Sequence, residues 1–359
     1  MYKFLLRSLP GQASFIRTLG ISTAKHRSSR RNESSDQIDD AMDRYDRNRQ
    51  WRRTKDGHGH GHVSKDSSFK VVSYNILAQD LLVEHFYLYG ELRTDCLTWR
   101  RRLQNIQREI LTLDPDILCL QEMQYDHIFD LMQGLRMGNG KKLEYVYKKK
   151  TGERTDGCAI IYDACKFQLL DQRPIEFYDQ NVKLLNRENV ALFAKLGMKG
   201  QTEKEFIVAT THLLYNPKRD DVRCAQVTRL LEELETFSCD PKSGQVTPIV
   251  LTGDFNSVPN SPPFEIITAD SPPAKLLNFK AVEMGPPGPK GPGIASTRQD
   301  NWITVDYILR SLSDKSQHQL QVTSIYGLPT VNVCYRVGPI PNHYLGSDHY
   351  ALGVVFNLI

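Results

Sequence analysis

From about Ser68 onward, short apolar runs alternate with segments whose apolar residues recur every three or four positions. The segments 99–113 and 220–237 place their apolar residues along one face, which predicts amphipathic helices. The short runs predict β-strands at 69–77, 117–120, 158–162, 206–212, 249–251, 304–309 and 350–356. Because strands and helices stay mixed to the end of the chain, the pattern predicts one layered α/β domain over 68–359.

The first 67 residues lack this pattern. Residues 1–32 contain seven Lys or Arg side chains and no acidic one, a composition typical of an amphipathic mitochondrial presequence. A disordered basic tail is the alternative interpretation of this leader. Residues 33–67 carry alternating charges, few apolar residues and a Gly-His tract at 58–62, which together predict a disordered linker.

The distribution of charge limits the function classes. The net charge is +4, but residues 1–32 contribute +7, so the rest of the chain carries −3. A nearly neutral domain is not a general nucleic-acid binder, and any contact with RNA needs a local basic rim. The Lys148–Lys150 run is one candidate for such a rim, with a solvated charged surface as the alternative.

Cysteine usage and hydropathy bear on the compartment. The seven cysteines are scattered, odd in number and never spaced Cys-x-x-Cys, which predicts reduced thiols in an intracellular protein. No apolar run approaches the length of a membrane span. We therefore expect an intracellular protein, either mitochondrial, as the leader predicts, or cytoplasmic or nuclear.

Polar side chains lie at or just beyond the ends of the predicted strands. Carboxylate and amide oxygens are the ligands that Mg²⁺ prefers, and imidazole can stabilise charge on phosphate. Any single residue of this kind is more often a helix cap or a loop anchor. The set as a whole predicts metal-assisted attack on a phosphate ester. Its members are Asn75, Glu122, Asp156, His212, Asp254, Asn256, Asp306, Asp348 and His349.

Seven short segments that contain these residues resemble the signatures of the exonuclease–endonuclease–phosphatase superfamily, and the resemblance spans residues 69–356. Within it the chain is similar to the deadenylase-like branch, which includes nocturnin and the angel proteins. The resemblance implies a four-layer α/β sandwich, in which two mixed β-sheets pack face to face between layers of helices. The signatures here are Ser-Tyr-Asn-Ile-Leu-Ala at 73–78, Leu-Gln-Glu at 120–122, Arg-Thr-Asp-Gly-Cys-Ala-Ile at 154–160, Thr-His-Leu at 211–213, Gly-Asp-Phe-Asn-Ser at 253–257, Val-Asp-Tyr-Ile at 305–308 and Ser-Asp-His at 347–349.

The resemblance also implies a role for each site residue. Glu122 would be the principal ligand of one or two Mg²⁺ ions, for which Mn²⁺ can substitute, with Asn75 and Asp348 as further ligands. Asp254 would orient or deprotonate the attacking water. The remaining catalytic residues, which contact the phosphoryl group or orient its partners, would be Asn256, His212, His349 and Asp306. The residues lining the substrate channel would be Arg154, Asp156, Pro217 and Trp302.

The substrate implied by the resemblance is the 3′ end of RNA, and the first expectation is a 3′-to-5′ exoribonuclease acting on poly(A). In the poly(A)-trimming relatives, a Pro and an aromatic residue grip an adenine. Pro217 matches the first, but Asn301 occupies the aromatic position and Trp302 lies one residue out of register. This departure predicts weak adenine preference. Removal of 2′,3′-cyclic phosphates from RNA is the alternative activity at the same site.

Two further hypotheses come from other functional classes. A catalytically silent adaptor would keep the fold and bind RNA-processing or translation partners, yet none of the seven signatures is broken. A phosphatase acting on lipid or nucleotide headgroups would use the same chemistry, but the Arg-Thr-Asp-Gly segment resembles the RNA-processing branch. Both hypotheses rank below an RNA phosphoesterase.

Overall fold

The computed structural model describes residues 42–43, 45–55, 67–269, 274, 276–286 and 293–359. The leader at 1–32 and the Gly-His tract lie outside the described residues. Asp40–Ile359 form one compact unit. Among the described residues, no helix has the length and apolarity needed to cross a membrane.

The larger sheet has seven strands in the order β1-β14-β15-β2-β3-β5-β4. Only β2 and β3 run parallel in this sheet, so the C-terminal ends of these two strands lie side by side at one edge. The seven strands are β1 (Trp51–Arg53), β2 (Ser68–Asn75), β3 (Ile117–Gln124), β4 (Leu143–Lys149), β5 (Asp156–Asp163), β14 (Leu320–Tyr326) and β15 (Leu352–Leu358).

The second sheet has six strands in the order β10-β13-β9-β8-β7-β6, and its parallel pair is β8 and β9. Two short strands, β11 (Thr297–Arg298) and β12 (Trp302–Ile303), pair separately. The six strands are β6 (Phe167–Glu176), β7 (Val190–Met198), β8 (Gln201–His212), β9 (Ile249–Asp254), β10 (Asn278–Ala281) and β13 (Asp306–Leu312).

Four of the described helices, α2 to α5, cover the outer faces of the two sheets. One core lies between the sheets, a second joins the seven-stranded sheet to α2 and α3, and a third joins the six-stranded sheet to α4 and α5. This confirms the predicted four-layer α/β sandwich. The helices are α1 (Gln79–Glu84), α2 (Trp99–Leu113), α3 (Ile128–Asn139), α4 (Asp220–Ser238), α5 (Pro262–Thr268) and α6 (Val331–Val337).

The domain begins earlier than the sequence predicts. Strand β1 pairs antiparallel with β14, and Tyr45 and Arg49 are buried. The Tyr45 ring stacks on Tyr350 at 5.8 Å between centroids, and the Arg49 guanidinium lies 4.3 Å from the centre of the Tyr326 ring. The prediction of a disordered linker is therefore wrong for residues 45–53. This segment has no apolar run that would predict burial from the sequence. A few aromatic and cationic side chains hold it instead, by packing on residues that are distant in the sequence.

Close approach of the two parallel strands β8 and β9 depends on one glycine. Gly253 has φ +148°, and a Cβ atom there would lie 2.2 Å from the Thr211 carbonyl oxygen. Because only glycine fits this spacing, Gly253 brings the end of β9 against the end of β8. The motif Gly-Asp-Phe-Asn therefore has a structural reason to start with glycine.

Candidate active site

The candidate site lies where the ends of the two parallel strand pairs meet, with Asp254 at its centre. Strand register places Asp254 opposite His212 on one side and opposite Asp306 on the other. From the other sheet, the Asn75 amide nitrogen donates hydrogen bonds of 3.0 Å to Asp254 Oδ2 and to Glu122 Oε1. Residues from both sheets thus converge on one carboxylate.

On one side of Asp254 lies a hydrogen-bonded pair. His349 Nδ1 is 2.8 Å from Asp306 Oδ2, and His349 Nε2 is 3.7 Å from Asp254 Oδ2. All three residues are buried. The Ser347 hydroxyl accepts the backbone N–H of His349 and donates to the Asn75 carbonyl, which fixes the loop that carries the imidazole.

On the other side lies His212, which the sequence also predicts, next to Lys150, which it does not. His212 Nε2 is 3.6 Å from Asp254 Oδ2, and His212 Nδ1 is 3.4 Å from Lys150 Nζ. Lys150 Nζ is also 2.7 Å from Asp156 Oδ2. Lys150 is buried, so the prediction that Lys148–Lys150 lies on a solvated rim is wrong for this residue.

These partners set the protonation of the site. Burial, reinforced by Asp306 and opposed by His349, raises the pKa of Asp254 to about 7. Although burial lowers the pKa of His349, the Asp306 carboxylate outweighs it and raises that pKa well above its ordinary value. Burial, with Lys150 and His349 adding to it, holds the pKa of His212 well below its ordinary value. The site therefore combines a carboxylate that titrates near neutrality with one charged and one neutral imidazole.

Backbone strain aims two of the polar side chains. Glu122 has φ +56° within a β-bulge between Leu120 and Met123, and Asn256 has φ +47°. The left-handed region is costly for such residues, and strain of this kind is concentrated at functional sites. Asn256 donates its backbone N–H to Asp254 Oδ1 at 2.9 Å and its side-chain amide to the Leu213 carbonyl at 2.9 Å. The strained backbone at Glu122 and Asn256 is what holds these two residues beside Asp254.

The Asn75 side chain is hydrogen-bonded through both of its polar atoms. Its Oδ1 accepts the backbone N–H of Leu77 at 3.0 Å, while its amide nitrogen faces Glu122 and Asp254. In this geometry Asn75 positions the two carboxylates, and its role as a metal ligand stays a prediction. Glu122 is further fixed by the Ala78 N–H, which donates to its Oε2 at 3.0 Å.

Two residues outside the motifs hold the Asp348 side of the site. The Tyr89 hydroxyl donates to Asp348 Oδ2 at 2.7 Å. Arg102, fully buried on α2, donates to the carbonyls of Leu77 and Gly346, so it joins the loop after β2 to the loop before Asp348. Neither residue is predicted from the sequence, because each lies in a segment whose local pattern is that of an ordinary helix or turn.

Two of the predicted channel residues are buried against other side chains. Trp302 is 8% exposed, and its ring stacks on the buried Tyr350 with centroids 5.8 Å apart. Asp156 is 1% exposed and faces Lys150. Because both side chains face partners within the protein, this geometry does not support the predicted contact of Trp302 or Asp156 with substrate.

The other two predicted channel residues lie at the surface. Pro217 is exposed, five residues beyond His212. Arg154 is also exposed, and its guanidinium is paired with Glu188 at 2.9 Å and with Glu84 at 3.5 Å. Arg154 therefore needs to exchange an acidic partner before it can contact a phosphate.

Two groups of side chains have the chemistry of a cation site. Asp254, Asp306 and His349 present potential ligand atoms within 4.8 Å of one another. In that group His349 Nδ1 lies 2.8 Å from Asp306 Oδ2, so one imidazole nitrogen and one carboxylate oxygen are already engaged with each other. Glu122 and Asp348 instead present partly exposed carboxylate oxygens, the donors that fit Mg²⁺. Glu122 and Asp348 thus have suitable donor atoms, and their role as metal ligands stays a prediction.

Comparison with known proteins agrees with this geometry. The model of the Endonuclease/Exonuclease/phosphatase family matches residues 72–349. The chain belongs to this family. It is 54% identical to Protein angel of Drosophila melanogaster over the full length of both chains. It is 33% identical to Protein angel homolog 2 of Homo sapiens, over 77% of this chain and 58% of that protein.

Solved structures place the chain in the same branch of the family. A crystal structure of ANGEL2, described as a 2′,3′-cyclic phosphatase, in complex with adenosine-2′,3′-vanadate, has a TM-score of 0.72 and 32% identity and covers 81% of this chain and 96% of its own. The catalytic domain of human Nocturnin has a TM-score of 0.62 and 26% identity, covering 87% of this chain and 98% of its own. The predicted kinship with the angel proteins is confirmed.

Proposed function

We propose that this protein is a Mg²⁺-dependent phosphoesterase of RNA 3′ ends and that its preferred substrate is a terminal 2′,3′-cyclic phosphate. The observation that carries the proposal is the convergence of Asp254, His349 and Glu122 in the fold of a relative described as a 2′,3′-cyclic phosphatase. Opening a cyclic phosphodiester to a monoester takes one hydrolytic step, and removal of the phosphate takes a second; neither needs a long channel for a polynucleotide.

The residues fit a reaction in which water attacks phosphorus. Asp254 accepts the proton of the attacking water, because its pKa near 7 makes it a base at neutral pH. The bond from phosphorus to one ribose oxygen breaks, and the His349 imidazolium carries a proton that can neutralise the departing oxygen. His212 and Asn256 are placed to donate hydrogen bonds to the phosphoryl oxygens.

Glu122 and Asp348 would hold the cation. When bound, Mg²⁺ supplies electrostatic stabilisation of the charge on the phosphoryl oxygens. The protein's own contribution there is orientation, because the Asn75 amide and the Ala78 N–H each fix one oxygen of Glu122. Tyr89 does the same for Asp348.

The poly(A) exoribonuclease, which the sequence favoured first, ranks second here. That activity depends on an aromatic residue opposite Pro217, where Asn301 is exposed and polar. The burial of Trp302 removes the neighbouring candidate for the clamp. Base stacking contributes about 1–3 kcal/mol per base, so its loss lowers adenine preference and leaves phosphoester chemistry intact.

The test is incubation of the purified protein with three 3′-labelled RNAs that end in poly(A), in mixed sequence, or in a 2′,3′-cyclic phosphate. With Mg²⁺ we expect conversion of the cyclic phosphate to a monoester and little shortening of the other two. Both EDTA and Glu122→Gln should abolish the reaction. The control variant Lys142→Met should not, because Lys142 is an exposed residue that directly precedes β4. Shortening of poly(A) in preference to cyclic-phosphate opening would overturn the proposal, and silence on all three would favour an adaptor.

A further inference from the structure

A short N-terminal segment packs against the loop that carries His349. We call residues 45–53 the strap and residues 344–351, which lead into β15, the His349 loop. The family model matches residues 72–349, so the strap lies outside the part of the chain that the family model describes. Its contacts with the His349 loop are therefore a feature of this chain that the family match does not explain.

Tyr45 of the strap contacts the His349 loop at two points. Its side chain is buried, and its ring stacks on Tyr350 with 5.8 Å between centroids and 30° between planes. The same ring meets Tyr344 edge-on, at 6.3 Å and 82°. Asp348 and His349 lie between these two tyrosines in the sequence. One aromatic side chain thus holds the loop on both sides of its site residues.

Hydrogen bonds from the strap reach the same two ends of the loop. At one end the Tyr344 hydroxyl donates to Asp46 Oδ2, and at the other the Arg49 guanidinium donates to the Ala351 carbonyl. Arg49 is buried, and its guanidinium lies 5.8 Å from the centre of the Tyr350 ring. Hydrogen bonds from a charged donor are stronger than neutral ones, so the strap fixes the backbone of the loop as well as its side chains.

The strap is also joined to the strand that carries Asn75. Arg49 Nη1 donates to the Tyr45 hydroxyl oxygen at 3.2 Å, and the Tyr45 hydroxyl donates to Glu109 Oε1 at 3.3 Å. The Tyr74 hydroxyl donates to the other oxygen of Glu109 at 2.9 Å. Glu109 is buried on α2. A continuous buried network therefore runs from the strap to the residue before Asn75.

A network of this kind specifies a geometry more than it stabilises a fold. Well-packed apolar residues often stabilise a core at least as well as a buried ion pair, whereas a fully bonded polar network defines one arrangement. The middle of the loop has its own supports, because the Thr297 hydroxyl donates to the Asp348 carbonyl at 2.8 Å and the Tyr350 N–H donates to the Ser296 carbonyl at 2.7 Å. Loss of the strap contacts should therefore displace the loop slightly and not release it.

We infer that Tyr45 is a positioning residue that holds the His349 loop in its active geometry from outside the matched family segment. The catalytic consequence rests on the proposed function, whereas the placement of the loop does not. Tyr45 is buried and acts only through the loop. The functional domain therefore begins at the strap.

The first measurement is the kinetics of cyclic-phosphate opening by the full-length protein with Mg²⁺. A small displacement of a catalytic group costs up to about 100-fold in rate, so Tyr45→Ala should lower kcat by about 10–100-fold while KM stays nearly constant. Tyr45→Phe keeps the ring that contacts both tyrosines and should retain most of the wild-type kcat.

The matched control is Tyr162→Ala. Tyr162 is also buried, and its hydroxyl also donates to a glutamate, Glu144 Oε2, at 3.0 Å. It pairs with Ile117, the first residue of β3, and so lies at the end of the sheet remote from the site. Thermal unfolding should show a loss of stability in both alanine variants, and kcat should fall only in Tyr45→Ala.

The second measurement reports the loop without activity. Carbon–proton NMR of the protein labelled with ¹³C-histidine at one fixed pH shows the ring signals, which are identified by their loss in His349→Gln and His212→Gln. The His349 signals should shift or broaden in Tyr45→Ala and stay unchanged in Tyr162→Ala, and those of His212 should move little in either. Should Tyr45→Ala fail to fold, Tyr45→Leu keeps apolar volume without the ring and gives the same readouts.

Wild-type kcat in folded Tyr45→Ala would overturn the inference. An equal loss of kcat in Tyr162→Ala would also overturn it, since activity would then only follow stability, and so would an unchanged His349 signal in Tyr45→Ala. If the wild type proves inactive on all three RNAs, the proposed function fails, and the NMR comparison still decides whether Tyr45 holds the loop.

Discussion

Two histidines flank Asp254 at nearly equal distances, and the structure gives them opposite protonation states. His349 Nε2 and His212 Nε2 lie 3.7 Å and 3.6 Å from the same oxygen, and both rings are buried. The difference lies behind each ring, where His349 faces Asp306 and His212 faces Lys150. A carboxylate at Nδ1 favours imidazolium, and an ammonium at Nδ1 excludes it.

Residue type alone therefore does not determine the role of a histidine in this site. Both histidines occur in family motifs, and the motifs describe them alike as polar residues near a phosphate. Their partners assign His349 to the charged role and His212 to the neutral donor role. Asp254 is common to both sides, so changes at Asp254 should be the most damaging.

The largest effect is expected from Asp254→Asn, which removes the base and the link between the two sides. The amide has the same shape as the carboxylate, so the fold should survive. We expect kcat on the cyclic-phosphate RNA to fall by about 10³–10⁴-fold. Steady-state kinetics and circular dichroism measure the two quantities, and a variant that keeps a tenth of the activity would exclude Asp254 as the base.

The next prediction separates the two sides. His349→Gln loses a positive charge and a proton donor, whereas His212→Gln loses a neutral donor that the Gln amide can partly replace. We expect kcat to fall by ~1,000-fold in the first variant and by ~100-fold or less in the second. Equal losses, measured in parallel under saturating substrate, would show that the two imidazoles do the same work.

Substitutions of Trp302 should change the stability of the protein, whereas substitutions of the two histidines should change its activity. Trp302 packs on Tyr350 in the core, so Trp302→Ala should cost about 3–5 kcal/mol of unfolding free energy, and Trp302→Phe considerably less. Denaturant unfolding measures this cost. The ratio of activities on poly(A) and mixed RNA should be the same for Trp302→Phe and the wild type. A ratio that collapses in Trp302→Phe would identify Trp302 as the base clamp after all.

The smallest effect is a pH dependence of stability with opposite signs for the two histidines, measured in EDTA between pH 8 and 5.5. Since the folded pKa of His212 is lowered, the unfolded chain takes up a proton below about 6.5 that the folded chain refuses, and stability falls. His349→Gln and His212→Gln should therefore respond differently to acidification. The raised pKa of His349 stabilises the fold below about 6.5 and is lost as pH rises through the folded value.

On acidification, His212→Gln should lose less stability than the wild type, because it lacks the imidazole that binds a proton only in the unfolded chain. His349→Gln should lose more, because it lacks the favourable one. Thermal unfolding of the three proteins at both pH values gives the comparison. Shifts of the same sign in the two variants would contradict opposite protonation states.

Local patterns in the sequence predict many of the helices and strands, and the family resemblance implies the four layers and the site residues. Helix α2 spans the predicted 99–113, and the strand ends carry the predicted Glu122 and Asp254. What the sequence does not predict depends on contacts between distant residues. The Tyr89–Asp348 hydrogen bond joins residues 259 positions apart. Burial of Lys150 depends on a turn whose inward side is not visible in a run of three lysines.

The error at Trp302 has the same origin. Its place in the sequence, one residue from the expected clamp, suggested a small shift of register. The pairing of β11 with β12 instead turns the indole towards Tyr350 and Tyr335. Alternation along a strand sends neighbouring residues to opposite faces, so a displacement of one residue exchanges surface for core.

The most direct test of the account is the protonation state of the two histidines in one sample of the wild-type protein at pH 7. Nitrogen NMR with ¹⁵N-histidine labelling reports both rings, identified by their loss in His349→Gln and His212→Gln. We predict that His349 is protonated on both nitrogens and that His212 is neutral. Two rings in the same protonation state would contradict the assignment of roles around Asp254.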